Sequence, residues 1–281
     1  MRDIPTEVVE RILEEVHVGL TLIDQEGNVV WSNAVARQML GWQQQEHHNV
    51  YGCHKPEIQE MIHKKLINAC FDKEWHRIIQ IENLFIENVY SPVIIPGNFA
   101  GVMMFSRDVS EREQMLNTIW EKSIRDPLTN LFNRRYFDQV YQKKIQCPKP
   151  FGIIMADVNG LKFVNDTYGH LAGDKFLISA GQILRTCVRN QDAVFRIGGD
   201  EFVIVVECNK SIILDTICSR IRRRCHMSRD NQQLGVSLSI GACLSSEVSR
   251  PEDALAVADQ RMYEDKAKHY HTEKEQNNTN E

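Results

Sequence analysis

The chain has 281 residues, 42% of them hydrophobic and 25% charged, and a net charge of −5. That length predicts about two globular domains, each large enough to bury a core. No run nears the roughly 18 apolar residues of a membrane span, residues 1–15 carry charges where an export signal needs an apolar centre, and both signs of charge are spread along the chain, which argues against a membrane or a nucleic acid as partner. Eight cysteines include no CxxC pair. They read as reduced thiols of a cytoplasmic protein rather than as disulfides or a closed zinc site.

In chain order, residues 1–10 predict a helical lead-in that continues over 10–19. Residues 20–24 and 29–33 predict two strands joined by a turn at 25–28, hence a hairpin. Residues 34–40 predict a short helix stopped by Gly41. Residues 76–90 and 92–106 alternate as further strands, with Pro96-Gly97-Asn98 as the turn between them. Residues 108–124 contain no Gly or Pro, and Val109, Arg112, Leu116, Ile119 and Ser123 fall near a 3.5-residue period, widened by Met115 and Trp120. This reads as a linker helix, either a short coiled coil joining two protomers or a helix packed on its own domain.

The second half interleaves helices and strands. Residues 151–156 predict a buried strand ending at Asp157, and 171–189 an amphipathic helix. Residues 193–197 and 202–207 predict strands around a tight turn. A helix over 210–226, a strand over 235–244 and a helix over 251–268 follow, the last with Pro at its first turn. The interleaving implies an α/β domain with a mixed sheet, and the polar end of the chain reads as a disordered tail over 272–281.

Residues 198–202 read Gly-Gly-Asp-Glu-Phe between two apolar strands. Glycines close a hairpin, but two adjacent acids there repel unless a cation sits between them. Asp157 ends a neighbouring strand, where a carboxylate has no packing role. Asp157, Asp200 and Glu201 are therefore either hard oxygen ligands for Mg2+ or solvated turn acids.

The first half resembles a PAS sensor domain. The resemblance rests on the opening GLTLIDQEGNVVWSN at 19–33 and the closing FSRDVSERE at 105–113, which is similar to that family's DITER exit. It implies a sensor domain over 1–107, with an antiparallel sheet, and leaves its ligand open. Cys53 and His54 are candidate sensor ligands: His54 would ligate haem iron and Cys53 would sense redox state, against the plainer reading of a cap or surface residue. Trp75 and His76 add aromatic and polar character nearby.

The second half resembles the GGDEF diguanylate cyclase family. The carrying motifs are DPLTNLFNRR at 126–135, DVNGLKFVND at 157–166, GHLAGD at 169–174, RIGGDEF at 196–202, SIG at 239–241 and ADQRMYEDK at 258–266. Asn130 stands where Gly is usual, Asn159 where a second Asp is usual, and Leu161 where Phe is usual. The resemblance implies a palm-like domain over 125–271 that condenses two GTP into cyclic di-GMP and two pyrophosphates with Mg2+ or Mn2+.

The same resemblance assigns roles by position. Asp157 and Glu201, with the Val158 carbonyl, match the metal ligands. Asp200 matches a catalytic base or a further metal contact, so Asp200 and Glu201 are the catalytic pair. Gly198 and Gly199 allow close approach of the nucleotide. Asn165 and Asp174 match guanine contacts, although Asp174 also reads as a first-turn helix acid. His170 matches a substrate contact or a helix cap. Lys162 and Lys266 match phosphate contacts, and the backbone from Gly160 to Phe163 would donate to phosphates. Arg189 and Asp192 form an RxxD that resembles the inhibitory product site; the alternative is a solvated helix end. A symmetric product implies a homodimer, assembled here through the sensor domain and linker helix. A catalytically inactive cyclic di-GMP receptor that signals through the RxxD is the alternative function.

Overall fold

A computed structural model describes residues 4–42, 48–51, 59–60, 74–95, 98–147, 149–231 and 235–279. Cys53 and His54 lie outside the described residues. The chain divides into two compact units, Met1–Ile119 and Trp120–Glu281, and the division falls inside the linker helix.

The first unit opens with α1 (Thr6–Glu15) and the hairpin β1 (Gly19–Ile23) and β2 (Val29–Ser32). Helix α1 stops at Glu15 rather than running to Gly19, because Val16 is already extended. The turn is built by Asp24, whose carboxylate accepts the Glu26 and Asn28 backbone N–H groups and the Asn28 side chain. Asn33 then caps α2 (Ala34–Leu40): its Oδ1 accepts from Ala36 N and Leu20 N, while its Nδ2 donates to the Leu13 and Val18 carbonyls. One buried amide thus ties helix, hairpin and cap together. Gly41 ends α2 in the left-handed region, φ 69°.

Strands β3 (Trp75–Ile81), β4 (Leu84–Ile95) and β5 (Asn98–Asp108) complete an antiparallel sheet of order β2-β1-β5-β4-β3. Ile95 pairs with Asn98, so β4 and β5 form the expected hairpin. Helix α3 (Ser110–Ile124) follows. Its first turn is fixed by Asp108, which accepts from Ser110 N, and by Ser110 Oγ, which accepts from Phe85 N. Met115, Leu116, Ile119 and Trp120 are each more than half exposed. Those four side chains are therefore not buried on their own chain.

The second unit contains β6 (Phe132–Asn133), α4 (Arg134–Ile145), β7 (Gly152–Val158), α5 (Leu161–Tyr168), α6 (His170–Thr186), β8 (Ala193–Arg196), β9 (Glu201–Val206), α7 (Ser211–Asn231), β10 (Leu238–Leu244) and α8 (Ala254–Thr279). Its sheet has the order β10-β7-β9-β8-β6, with β6–β8 parallel and the other pairs antiparallel. The mixed sheet expected from the sequence is present. Both faces are covered. Ile154, Ala156, Phe202 and Ile204 pack with residues of α6 and α7, while Ile153, Met155, Val203 and Val205 pack with Phe137, Ala258 and Met262. That two-sided burial is why β7 and β9 read as continuous apolar runs, and each large side chain so buried is worth ~1.5–3 kcal/mol. A Cβ on Gly241 would lie 2.1 Å from Ala258 O and from Met262 N, so only glycine lets α8 pack this close to β10.

Three local differences have simple causes. Helix α4 starts at an Asn133 side-chain cap, a signal the motif reading passed over. The last helix begins as a 3-10 turn at Pro251–Asp253 before α8, and α8 runs to Thr279. Residues 269–279 hold no Gly or Pro to stop it. Asn130 has φ 58°, the left-handed conformation that Asn tolerates where the family uses Gly.

Candidate active site

The hairpin between β8 and β9 closes through Ile197 N and Gly198 N, which both donate to Glu201 O (2.9 and 3.4 Å). Strand register sets Glu201 opposite Asp157, and Asp157 opposite Ser239. Directly opposed residues share a face of the sheet, so Asp157 and Glu201 point the same way. Gly198 lies against the Glu201 carboxylate, and a Cβ there would sit 2.4 Å from Oε2. Val158 N donates to Asp200 O at 3.0 Å, which ties the turn to the end of β7.

Asp157 is buried, and Lys266 Nζ lies 2.7 Å from its Oδ1. Burial pushes the Asp157 carboxyl up; the Lys266 hydrogen bond and charge pull it down, and the negative charges of Asp200 and Asp259 push it up again. The net direction is upward. Among the described residues no three His, Cys, Asp or Glu side chains gather as a metal cluster. Asp157 and Glu201 place two carboxylate side chains on one face of the sheet at the end of β7. That set is all oxygen and incomplete, which fits a hard cation finishing its shell with phosphate and water.

The loop after β7 is held by a network that the motifs did not reveal. Asn159 is buried; its N donates to Ser237 O, its Nδ2 to Ser237 Oγ, and its Oδ1 accepts from Ser239 Oγ. Ser237 Oγ in turn lies 2.7 Å from His269 Nε2. The amide donates to one serine and accepts from the other, which an ionised carboxylate cannot do. The departure from Asp at this position was its only signal in sequence. Gly160 then opens α5 at φ 76°.

Lys162 and Phe163 stand exposed on the first turn of α5, with Phe163 edge-on to Tyr168. A Cβ on Gly173 would lie 1.9 Å from Asn165 Oδ1, so the Asn165 amide rests on the bare backbone of α6, one residue before Asp174. The structure thereby brings Asn165 against Gly173, the residue before Asp174. The cap of α6 is Gly169, not His170, and no acid lies in its first turn. The cap reading of His170 and the first-turn reading of Asp174 are both set aside by this placement.

Arg189 and Asp192 separate in character. Arg189 is exposed, whereas Asp192 is buried, and its two oxygens accept from Arg189 N (3.0 Å) and Glu207 N (3.3 Å). Asp192 is no solvated helix end; it closes the turn into β8.

Arg196 stands out among residues left without a role. Its Nη1 reaches both oxygens of Asp126 (3.1 and 3.3 Å), while Nε and Nη2 donate to Gly199 O (3.3 and 2.8 Å). Asp126 also accepts from Thr129 N and Oγ1. Burial pushes the Asp126 carboxyl up, but the Thr129 hydrogen bonds and the Arg196 hydrogen bond and charge outweigh it and hold it below its usual value. One guanidinium therefore pins the tight turn to the segment that follows α3.

The family described as "Diguanylate cyclase, GGDEF domain" matches residues 123–272, and no PAS family matches the N-terminal residues. The diguanylate cyclase DgcS of Shewanella oneidensis is 36% identical over 146 residues, 50% of this chain and 49% of that protein. DosC, a diguanylate cyclase of Escherichia coli, is 31% identical over 175 residues, 58% of this chain and 38% of that protein. The chain thus spans about half the length, or less, of these curated relatives. Among solved structures, the coiled coil and GGDEF domain of DgcB from Caulobacter crescentus superposes with TM-score 0.51 at 20% identity, over 57% of this chain and 88% of that one. The diguanylate cyclase SiaD of Pseudomonas aeruginosa superposes with TM-score 0.50 at 26% identity, over 57% of this chain and 66% of that one.

Proposed function

The chain belongs to the GGDEF family of diguanylate cyclases, and from that premise we propose that it condenses two GTP into cyclic di-GMP. Each 3′-oxygen forms a bond to the α-phosphorus of the other nucleotide. Each α–β phosphoanhydride bond breaks, and two pyrophosphates and two protons leave. The observation that carries the reading is the pairing of Asp157 and Glu201 across β7 and β9.

Asp157, Glu201 and the Val158 carbonyl would hold Mg2+ or Mn2+. When bound, the ion neutralises triphosphate charge and lowers the pKa of the attacking hydroxyl. Asp200, on the same turn, receives the proton or adds a contact to the ion. Lys266, now on Asp157, and Lys162 supply cations to the phosphates, with backbone N–H groups from Gly160 to Phe163. Gly198 and Gly199 admit the nucleotide close to the turn. Asn165 and Asp174 read guanine: a carboxylate accepting from N1–H and the 2-amino group favours GTP over ATP. His170 lies on the Asp174 side of α6 and completes the contact. Arg189 receives returning product as an inhibitor, with Asp192 holding the turn that presents it.

Each catalytic unit holds one GTP, so turnover needs two copies. The exposed Met115, Leu116, Ile119 and Trp120 support pairing through α3. The antiparallel sheet and the capped exit at Asp108 support a PAS-like sensor that acts through that helix. No described helix is long and apolar enough to cross a membrane. Haem at His54 belongs to the same reading, and a visible absorption spectrum tests it. The direct test of the chemistry is Glu201→Gln. Pyrophosphate release from GTP and Mg2+ should fall at least about 100-fold, and an unchanged rate would remove Glu201 from the site.

A further inference from the structure

We propose that His269 is a positioning residue for the cation site: through Ser237 and Asn159 it aims the Val158 carbonyl at the end of β7. The proposal rests on the reading of Asp157, Val158 and Glu201 as the holders of Mg2+ or Mn2+. Helix α8 meets that strand end twice. Lys266 Nζ lies 2.7 Å from Asp157 Oδ1, and His269, three residues on, stands on the same face of the helix. His269 is half-buried, and its Nε2 is 2.7 Å from Ser237 Oγ. Ser237 in turn takes two bonds from Asn159: its Oγ accepts from Nδ2 at 3.1 Å, and its backbone O accepts from N at 3.0 Å. The helix thus holds the residue on each side of Val158, one directly and one through a serine.

The hydrogen bonds run in one direction. Ser239 Oγ donates to Asn159 Oδ1 at 2.8 Å, Asn159 Nδ2 donates to Ser237 Oγ, and the Ser237 hydroxyl still has its one proton to place. Among the described residues the acceptor in reach is His269 Nε2. The chain therefore ends on an imidazole whose Nε2 accepts and whose proton is on Nδ1. A hydroxyl or amide left unsatisfied in a partly buried network is costly, so removing the terminal acceptor loosens each bond back to Asn159.

Peptide geometry carries this to the cation site. The Val158 carbonyl and the Asn159 N–H share one trans peptide plane and point in opposite directions. The Asn159 N–H points at Ser237 O, next to β10, so the Val158 carbonyl points away from β10. Across β7 from β10 lies β9, which carries Glu201. Val158 N, which donates to Asp200 O at 3.0 Å, points to that same side. The bonds from His269 to Asn159 thus fix the aim of an oxygen that a cation beside Glu201 would use. A residue that merely pins the end of α8 would steady the helix and leave cation affinity untouched.

The full chain is titrated with Mn2+ by electron paramagnetic resonance without nucleotide, counting only the binding that Glu201→Gln removes, and GTP turnover is measured alongside. His269→Ala and Ser237→Ala should each weaken that binding about tenfold, the low end for residues that orient a metal's ligands, and the double variant should be no weaker than either. His269→Gln, which offers Oε1 where Nε2 accepts, should stay within about twofold of the parent. In heteronuclear NMR of the histidine rings, His269 should carry its proton on Nδ1. That tautomer is read on the parent, so it decides even where a variant does not fold. The proposal is overturned if either alanine variant binds Mn2+ as the parent does, whatever its thermal midpoint, if His269→Gln is as weak as His269→Ala, or if the His269 proton is on Nε2. A parent that neither binds Mn2+ nor turns over GTP removes the cation site and this proposal with it. A parent that does both, beside unaffected variants, removes only the role of His269.

Discussion

Replacing Arg196 with methionine keeps the aliphatic stem and removes the guanidinium that joins Asp126 to the Gly199 carbonyl. The Arg196 and Asp126 side chains are only 13% and 18% exposed. Breaking such a pair from one side strands the other charge, which costs ~3–5 kcal/mol at full burial. With this residual exposure, and two longish contacts to Asp126, about 3 kcal/mol is expected. For a unit of this size that lowers the midpoint of its thermal transition by roughly 6–12 °C. The turn before Asp200 also loses its anchor, so kcat should fall at least about tenfold while KM for GTP moves less. Asp126→Asn should cost less, because the Thr129 bonds remain. The double variant should fall short of the sum by about 1–3 kcal/mol. The carboxyl of Asp126 is held below its usual 3.8, so the pair's stabilisation is present above that pH and is lost as pH falls through the lower, folded value. The thermal difference between parent and Arg196→Met should therefore be flat above pH 5 and shrink below pH 3.8. An unshifted midpoint with unchanged kcat, or strict additivity in the double variant, would refute the reasoning.

Two further outcomes follow from the same geometry. Gly173→Ala puts a methyl where the Asn165 amide rests, so KM for GTP should rise several-fold with little loss of kcat; unchanged nucleotide affinity in equilibrium dialysis would detach Asn165 from guanine. Lys266→Met removes a competing cation from Asp157. By electron paramagnetic resonance, Mn2+ should bind the nucleotide-free protein several-fold more tightly, while GTP binds more weakly, and weaker Mn2+ binding would show that Lys266 does not compete there.

What could be read in the sequence was local. The hairpin of the first unit is set by Asp24, Gly27 and Asn33 acting within a few residues, and the apolar runs of β7 and β9 announce a sheet covered on both sides. The GGDEF turn and Asp157 were visible because each interrupts an apolar strand with charge that packing does not need. The missed features are contacts between distant residues. Asp126 and Arg196 are 70 residues apart, Asn159 and Ser239 are 80, and Asp157 and Lys266 are 109. No spacing or periodicity encodes such pairs. Asp192 shows the same limit from the other side: the RxxD pattern is real, yet the fold engages both oxygens of its acid with backbone N–H groups.

The most direct test of the account is to incubate the full chain with GTP and Mg2+ and separate the products by chromatography. Cyclic di-GMP should accumulate with two pyrophosphates per molecule, at a rate that falls steeply when the chain is diluted below its dimerisation range. Intact GTP after long incubation of a folded, dimeric chain would contradict it.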